Sequence, residues 1–276
     1  MGLWIMACVT FREAARKKIL WIGFLAGIAF LTLFGTGMYF QVKDFNTRTI
    51  PPFIRYQAVG GILQVGFYAV DSLAVLMTVL TSVDTISGEI NSGTIHAIAT
   101  KPVHRWQVLI GKWVGFVGMA VGYITVMFGG VFVLGYWIAG VVPQNPIRGA
   151  LLIFLECILV LSVSLASGTW FSTLTNGVIV LGLHGLAFLG GWIEQIGGFT
   201  HSPRLVTVGI VSSLILPSES LWRRAVFEMQ SSVTRSLPFG PFSNASVPST
   251  AMIVYAGVYT LVALVIAIYH FDQRDL

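Results

Sequence analysis

Long apolar runs alternate with short polar segments along this chain, and six of the runs are long enough to cross a bilayer as helices. They cover about 19–40, 60–83, 113–140, 148–171, 177–196 and 250–270. Leu205 to Leu216 is apolar but too short to span. After it, Trp222, Ala225, Val226 and Met229 fall on one helical face, with Glu219 and Arg223 spaced as an i,i+4 pair beside it. Residues 205–231 therefore predict a short buried or re-entrant helix leading into an interfacial one. Residues 2–18 place Trp4, Cys8, Phe11 and Ala15 on one stripe, with Arg12, Glu13, Arg16 and Lys17 off it. That pattern is a helix lying in the membrane interface with its basic end at the lipid headgroups.

Composition fits the pattern: of 276 residues, 55% are hydrophobic and 10% charged, against about 25% charged in soluble domains. The fold expected is an all-α polytopic membrane protein, a single domain over 1–276, with no barrel-type alternation. Ile19 to Phe40 is longer than a signal-peptide core and is expected to be retained. The net charge of +5 matches juxtamembrane cations on anionic lipid rather than nucleic-acid binding. With the N-terminus inside, the six-span scheme puts eight Lys and Arg on each side, so the total decides nothing. The Arg16-Lys17-Lys18 cluster beside the first span favours an inner N-terminus. Cys8 and Cys157 are expected at different depths and unpaired.

Catalytic and nucleotide motifs are missing. Gly111-Lys112 has Trp106 where a phosphate loop needs its first glycine and Trp113 where it needs Ser or Thr. There is no zinc-protease, nucleophile-elbow or Cys/His spacing. The chain is expected to be no enzyme and to hold no cofactor or metal of its own.

The informative polar stretch is Asp84 to Lys112. Asp84 to Asn91 is expected to continue the second helix, Gly93 to end it, and Thr94 to cap a short helix that Pro102 stops. Arg105-Trp106 then returns the chain to the interface. Such a rigid elbow joins two spans and can carry a push from a soluble partner to both. In the second span Gln64, Tyr68, Asp71, Thr78, Ser82 and Thr85 make one polar stripe, with Asp71 near mid-depth. Glu156 and His184 are the other mid-depth ionisable groups. These groups either line a translocation path or bond helices to one another. Gly111, Gly115, Gly118 and Gly122 form a small-residue seam for close helix packing, within the chain or between copies; Gly23 and Gly27 form a weaker one.

The run from Glu89 to Lys112, E-I-N-S-G-T-I-H-A-I-A-T-K-P-V-H-R-W-Q-V-L-I-G-K, resembles the cytoplasmic loop of type-2 ABC exporter permeases, most closely the branch labelled as multi-copper enzyme maturation permeases. Thr10 to Leu20, Trp192 to Gly197, Pro217 to Arg223 and Phe271 to Leu276 are similar to other parts of that branch. The resemblance implies six transmembrane helices in the cell inner membrane with both termini cytoplasmic. It implies an interfacial helix over 1–18, a coupling loop over 84–112 and external re-entrant segments over 197–249. It implies two copies of a separate ATPase, which would carry the ATP and Mg²⁺, and a second permease copy as a homodimer. ATPase-contact roles then fall to Glu89, Gly93, Thr94, Pro102 and Arg105, with Arg12 and Glu13 on the first helix. Two other functions compete with an exporter: a subunit relaying ATPase motion to an extracytoplasmic partner, and an ion-coupled carrier using Asp71 and Glu156. Against the carrier, no matching pair of broken helices occurs in the two halves.

Overall fold

The computed structural model describes residues 2–16, 18–48, 50–88, 104–230 and 246–273. These residues form nine helices and no strand: α1 Gly2–Arg16, α2 Lys18–Thr47, α3 Pro52–Ser82, α4 Arg105–Ala139, α5 Pro146–Gly168, α6 Thr173–Phe199, α7 Pro203–Ile215, α8 Ser218–Met229 and α9 Thr250–Gln273. α2 to α6 and α9 are the six that are long and apolar enough to span a membrane. The protein is an all-α polytopic membrane protein.

Several spans are longer than their apolar cores. α3 starts at Pro52 rather than near residue 60, and α4 starts at Arg105 rather than at 113. Backbone hydrogen bonding carries a helix on into the headgroup layer, where hydropathy no longer marks it. The 30 residues of α2 make about 45 Å of helix, against about 30 Å of hydrocarbon. Proline at the first turn starts α3, α5 and α7, where its missing N–H costs nothing. Gly140 ends α4 with φ 68°, a left-handed conformation suited to glycine, and donates its N–H to the Tyr136 carbonyl. α3 ends at Ser82, Val83 to Ile86 form a turn, and Ser87 and Gly88 are again helical; Glu89 to Asn91, where the helix is expected to run on, lie outside the described residues.

α5 is the central span and packs against α3, α4, α6, α8 and α9, while α2 lies at the periphery on α3 and α4. Phe67 stacks on Phe128 with ring centroids 4.5 Å apart, and Ile153, Leu159 and Val160 are fully enclosed. A second apolar cluster at the α1 end joins Ala14, Leu109, Phe116, Leu165 and Phe271. The outer surface is itself apolar, with Leu33, Trp137 and Leu174 exposed, as hydrocarbon solvent requires.

α7 and α8 meet at a 109° bend. Neither crosses a bilayer alone, since 13 and 12 residues make about 20 Å and 18 Å. The first turn of α8 and its Trp222, Ala225, Val226 and Met229 face are buried against α5 and α6. The short sequence reads as interfacial because it is polar; inside, Arg223 pairs with Glu194 and Arg224 with Glu228.

α1 packs on α4 through Ala7, Thr10 and Ala14. The Trp4, Phe11 side of α1 stays exposed, as expected of a helix in the interface. Gly115 is where α4 admits α1, since a Cβ there would meet the Ala7 carbonyl oxygen at 2.9 Å. Gly111 is buried. Gly118 and Gly122 are exposed and an added Cβ would touch nothing, so within one chain they are not packing positions. Within one chain the close approach of α1 to α4 is made at Gly115. Gly23 and Gly27 do serve as packing positions, under Met77 and Met127.

Candidate functional site

Polar side chains gather at three depths, all touching α3, α5, α6 or α8. At the α1 end, the last turn of α3 is fastened to its neighbours. Ser82 donates to Ser164 Oγ at 2.8 Å, and Ser87 and Thr173 share a hydrogen bond of 2.9 Å. Thr173 also donates to Asp84 Oδ1 at 3.1 Å. Asn176, fully buried, donates to the Val83 carbonyl at 3.1 Å and the Ser164 carbonyl at 3.0 Å, and accepts from Ser167. Lys112, 3% exposed, donates to the Thr85 carbonyl at 3.3 Å. A helix C-terminus presents unpaired carbonyls and a partial negative charge, so an amide and an ammonium there satisfy it. Cys8 is exposed and Cys157 buried, and both are free thiols.

Of the residues expected to contact an ATPase, Glu89, Gly93, Thr94 and Pro102 lie outside the described residues. Arg105 opens α4 and donates through Nη1 to the Asp272 carbonyl at 3.1 Å, tying α4 to the end of α9. Arg12 and Glu13 are exposed on α1.

At mid-depth the stripe on α3 is buried as a row: Gln64, Asp71, Thr78, Ser82 and Thr85 are all enclosed. Helical spacing puts them on one side, and packing against α5 turns that side inward. Gln64 lines a cavity of about 40 Å³ with Phe67 and Gln230. Tyr68 packs between Phe188 and Trp222. Thr78 satisfies its own hydroxyl on the Ala74 carbonyl at 2.8 Å. Asp71 and Glu156 face each other across α3 and α5, with Glu219 of α8 near both. His184 Nδ1 lies 3.1 Å from Ser218 Oγ and 4.0 Å from Glu156 Oε1. The Asp71 and Glu156 carboxyls are hydrogen-bonding neighbours of each other, and no other donor among the described residues reaches Asp71 Oδ1 or either Glu156 oxygen. A charge at such depth costs about 2.5–3.5 kcal/mol on insertion scales. Among the described residues, no group of three or more His, Cys, Asp and Glu side chains is arranged to hold a metal ion.

At the α8 end Arg223 pairs with Glu194 of α6 at 2.6 Å, both nearly inaccessible. The expected partner, Glu219, lies against Gly191 and near Arg223, but Glu194 is the carboxylate hydrogen-bonded to the guanidinium. Ser246 donates to Glu194 Oε1 at 2.5 Å, so one carboxylate joins α6, α8 and the segment before α9. Arg224 pairs with Glu228 at 2.7 Å, and Arg148 reaches Glu228 at 3.5 Å. α6 and α7 touch through glycines: a Cβ at Gly197 would meet the Val206 nitrogen at 2.7 Å.

The polar row of α3, Glu156 and His184 were thus singled out from sequence, and the fold brings Asp71, Glu156 and His184 to one place. Asn176, Lys112, Glu194 and Arg223 were missed as site residues. A lone Asn or Glu near a span end carries no periodic signal; only the partner across the helix interface makes it legible.

The chain matches the family model described as ABC-2 family transporter protein over residues 4–276. No curated protein matches it.

Proposed function

Because this chain belongs to the ABC-2 family of transporter proteins, and is thus a membrane permease component of an ABC transporter, we propose that it couples ATP hydrolysis in a separate ATPase to export of a cargo. The branch labelled as multi-copper enzyme maturation permeases is the subgroup its loop sequence supports. Two ATPase subunits, each with ATP and Mg²⁺, engage a homodimer of this chain at the α1 end. That end faces the cytoplasm of the inner membrane, in keeping with Arg16, Lys17 and Lys18 beside the first span. Glu89, Gly93, Thr94, Pro102 and Arg105, with Arg12 and Glu13 of α1, take the contact.

The observation that carries the reading is the fastening of α3. The helix bearing the buried polar row leads directly into the 84–112 segment, and its end is held to α4 by Lys112 and to the start of α6 by Asn176 and Thr173. A displacement delivered to that segment moves α3, α4 and α6 together. The Asp71, Glu156, His184 group lies one bilayer half away, with Asp71 and His184 on two of those helices and Glu156 on the central α5 between them, and opens as they separate. Cargo then passes along the row of Gln64, Asp71 and Thr78.

The test is co-purification of the tagged chain with the ATPase encoded beside it, from membranes expressing both. Retention of the ATPase is expected, with hydrolysis in nanodiscs that depends on the pair. Replacing residues 89–103 with a Gly-Ser linker of equal length is expected to release it. Undiminished retention after that replacement refutes the docking assignment.

A further inference from the structure

A cavity of about 130 Å³ lies under α1, among α1, α2, α3, α4 and α5. Its walls are apolar, with Leu20, Phe24, Met77 and Phe116 among them, and its inner end reaches Thr78 and Cys157. Its rim carries Phe11, Gly118 and Gly122, all exposed, so it opens on the lipid-facing side. An apolar cavity near this size is a poor site for water and takes up hydrophobic guests. Beside it on the chain stand Arg12, Arg16 and Lys18, all exposed and none in an ion pair with a described acidic residue. Trp21 donates to the Ala15 carbonyl at 3.1 Å and holds the α1–α2 corner in place over the cavity.

We propose that this cavity is a binding site for one anionic phospholipid of the leaflet in which α1 lies, one acyl chain inserted beneath α1 and the headgroup on Arg12, Arg16 and Lys18. A tail is the chemical match to the walls, and the leaflet supplies it at the open rim. The cations select the headgroup, since each basic residue at a membrane surface favours an anionic lipid. A second copy of the chain is the weaker occupant, because a symmetric contact at this rim would bring two basic α1 ends together. The lipid site stands whether or not the chain exports anything.

Gly118 and Gly122 provide clean probes, since a Cβ at either meets no atom within 4 Å and both positions line the cavity. The full-length chain, purified in detergent with equal amounts of palmitoyl-oleoyl phosphatidylglycerol and phosphatidylcholine, is examined by native mass spectrometry. The wild type is expected to retain one phosphatidylglycerol per chain. Gly118→Leu, and independently Gly122→Leu, are expected to lower retention roughly tenfold, the equivalent of displacing about two methylenes. Gly129→Leu, on the same helix in open space but outside the cavity, is expected to change nothing. Arg16→Gln and Lys18→Gln are each expected to lower the preference for phosphatidylglycerol about fivefold. Equal retention by Gly118→Leu, Gly122→Leu and wild type overturns the proposal. So does a wild type that holds both lipids equally, or leucine variants that alter only the oligomeric state.

Discussion

The Glu194–Arg223 pair supports an asymmetric prediction. Both side chains are inaccessible and meet at 2.6 Å. Removing one member of a buried pair typically costs about 3–5 kcal/mol, because the other charge is left without compensation. The two members are not equivalent here. In Arg223→Met the Glu194 carboxylate keeps the Ser246 hydroxyl, which donates at 2.5 Å. In Glu194→Gln the guanidinium loses the anion it is hydrogen-bonded to and keeps only the attraction of nearby Glu219, while its Nε and Nη1 already have no hydrogen-bond partner among the described residues. Glu194→Gln is therefore expected at the upper end of that range and Arg223→Met near or below the lower end. At about 1.4 kcal/mol per decade, the unfolding constant rises by roughly three and a half orders of magnitude in Glu194→Gln and by about two or fewer in Arg223→Met. The double variant is expected to regain much of the loss, since a buried pair replaced by groups of similar volume is often neutral. The assay is equilibrium unfolding in mixed micelles, read by circular dichroism for all four proteins of the cycle. A single variant within about 1 kcal/mol of wild type, or Glu194→Gln milder than Arg223→Met, refutes the reasoning.

Other consequences are open to test by simple substitutions. Asn176→Ala leaves the Val83 and Ser164 carbonyls without their donor and is expected to cost about 2–4 kcal/mol in the same unfolding assay. Gly197→Ala drives a Cβ into the backbone of α7 and is expected to cost about 1–3 kcal/mol. Gly182→Ala on the same helix meets nothing and is expected to be neutral or stabilising by up to ~1 kcal/mol. Asp71→Asn is expected to depress ATP-dependent transport while the ATPase stays bound; unchanged turnover in the assembled complex removes Asp71 from the path.

Hydropathy alone determined the class, the six spans, the exposed apolar side of α1 and the shortness of the 205–216 run, because the cost of desolvating a peptide in hydrocarbon is paid segment by segment. Spacing on one helix likewise made the α3 row visible, since side chains at i, i+3, i+4 and i+7 share a face whatever surrounds them. Tertiary structure decided everything that depends on a second helix. It turned the α3 row inward onto Glu156, buried the polar α8, made Glu194 the hydrogen-bonded partner of Arg223 beside Glu219, and left Gly118 and Gly122 open within one chain. A sequence states which groups lie on one rod; the distance between rods, and so which polar group satisfies which, is set by the packing of the whole bundle.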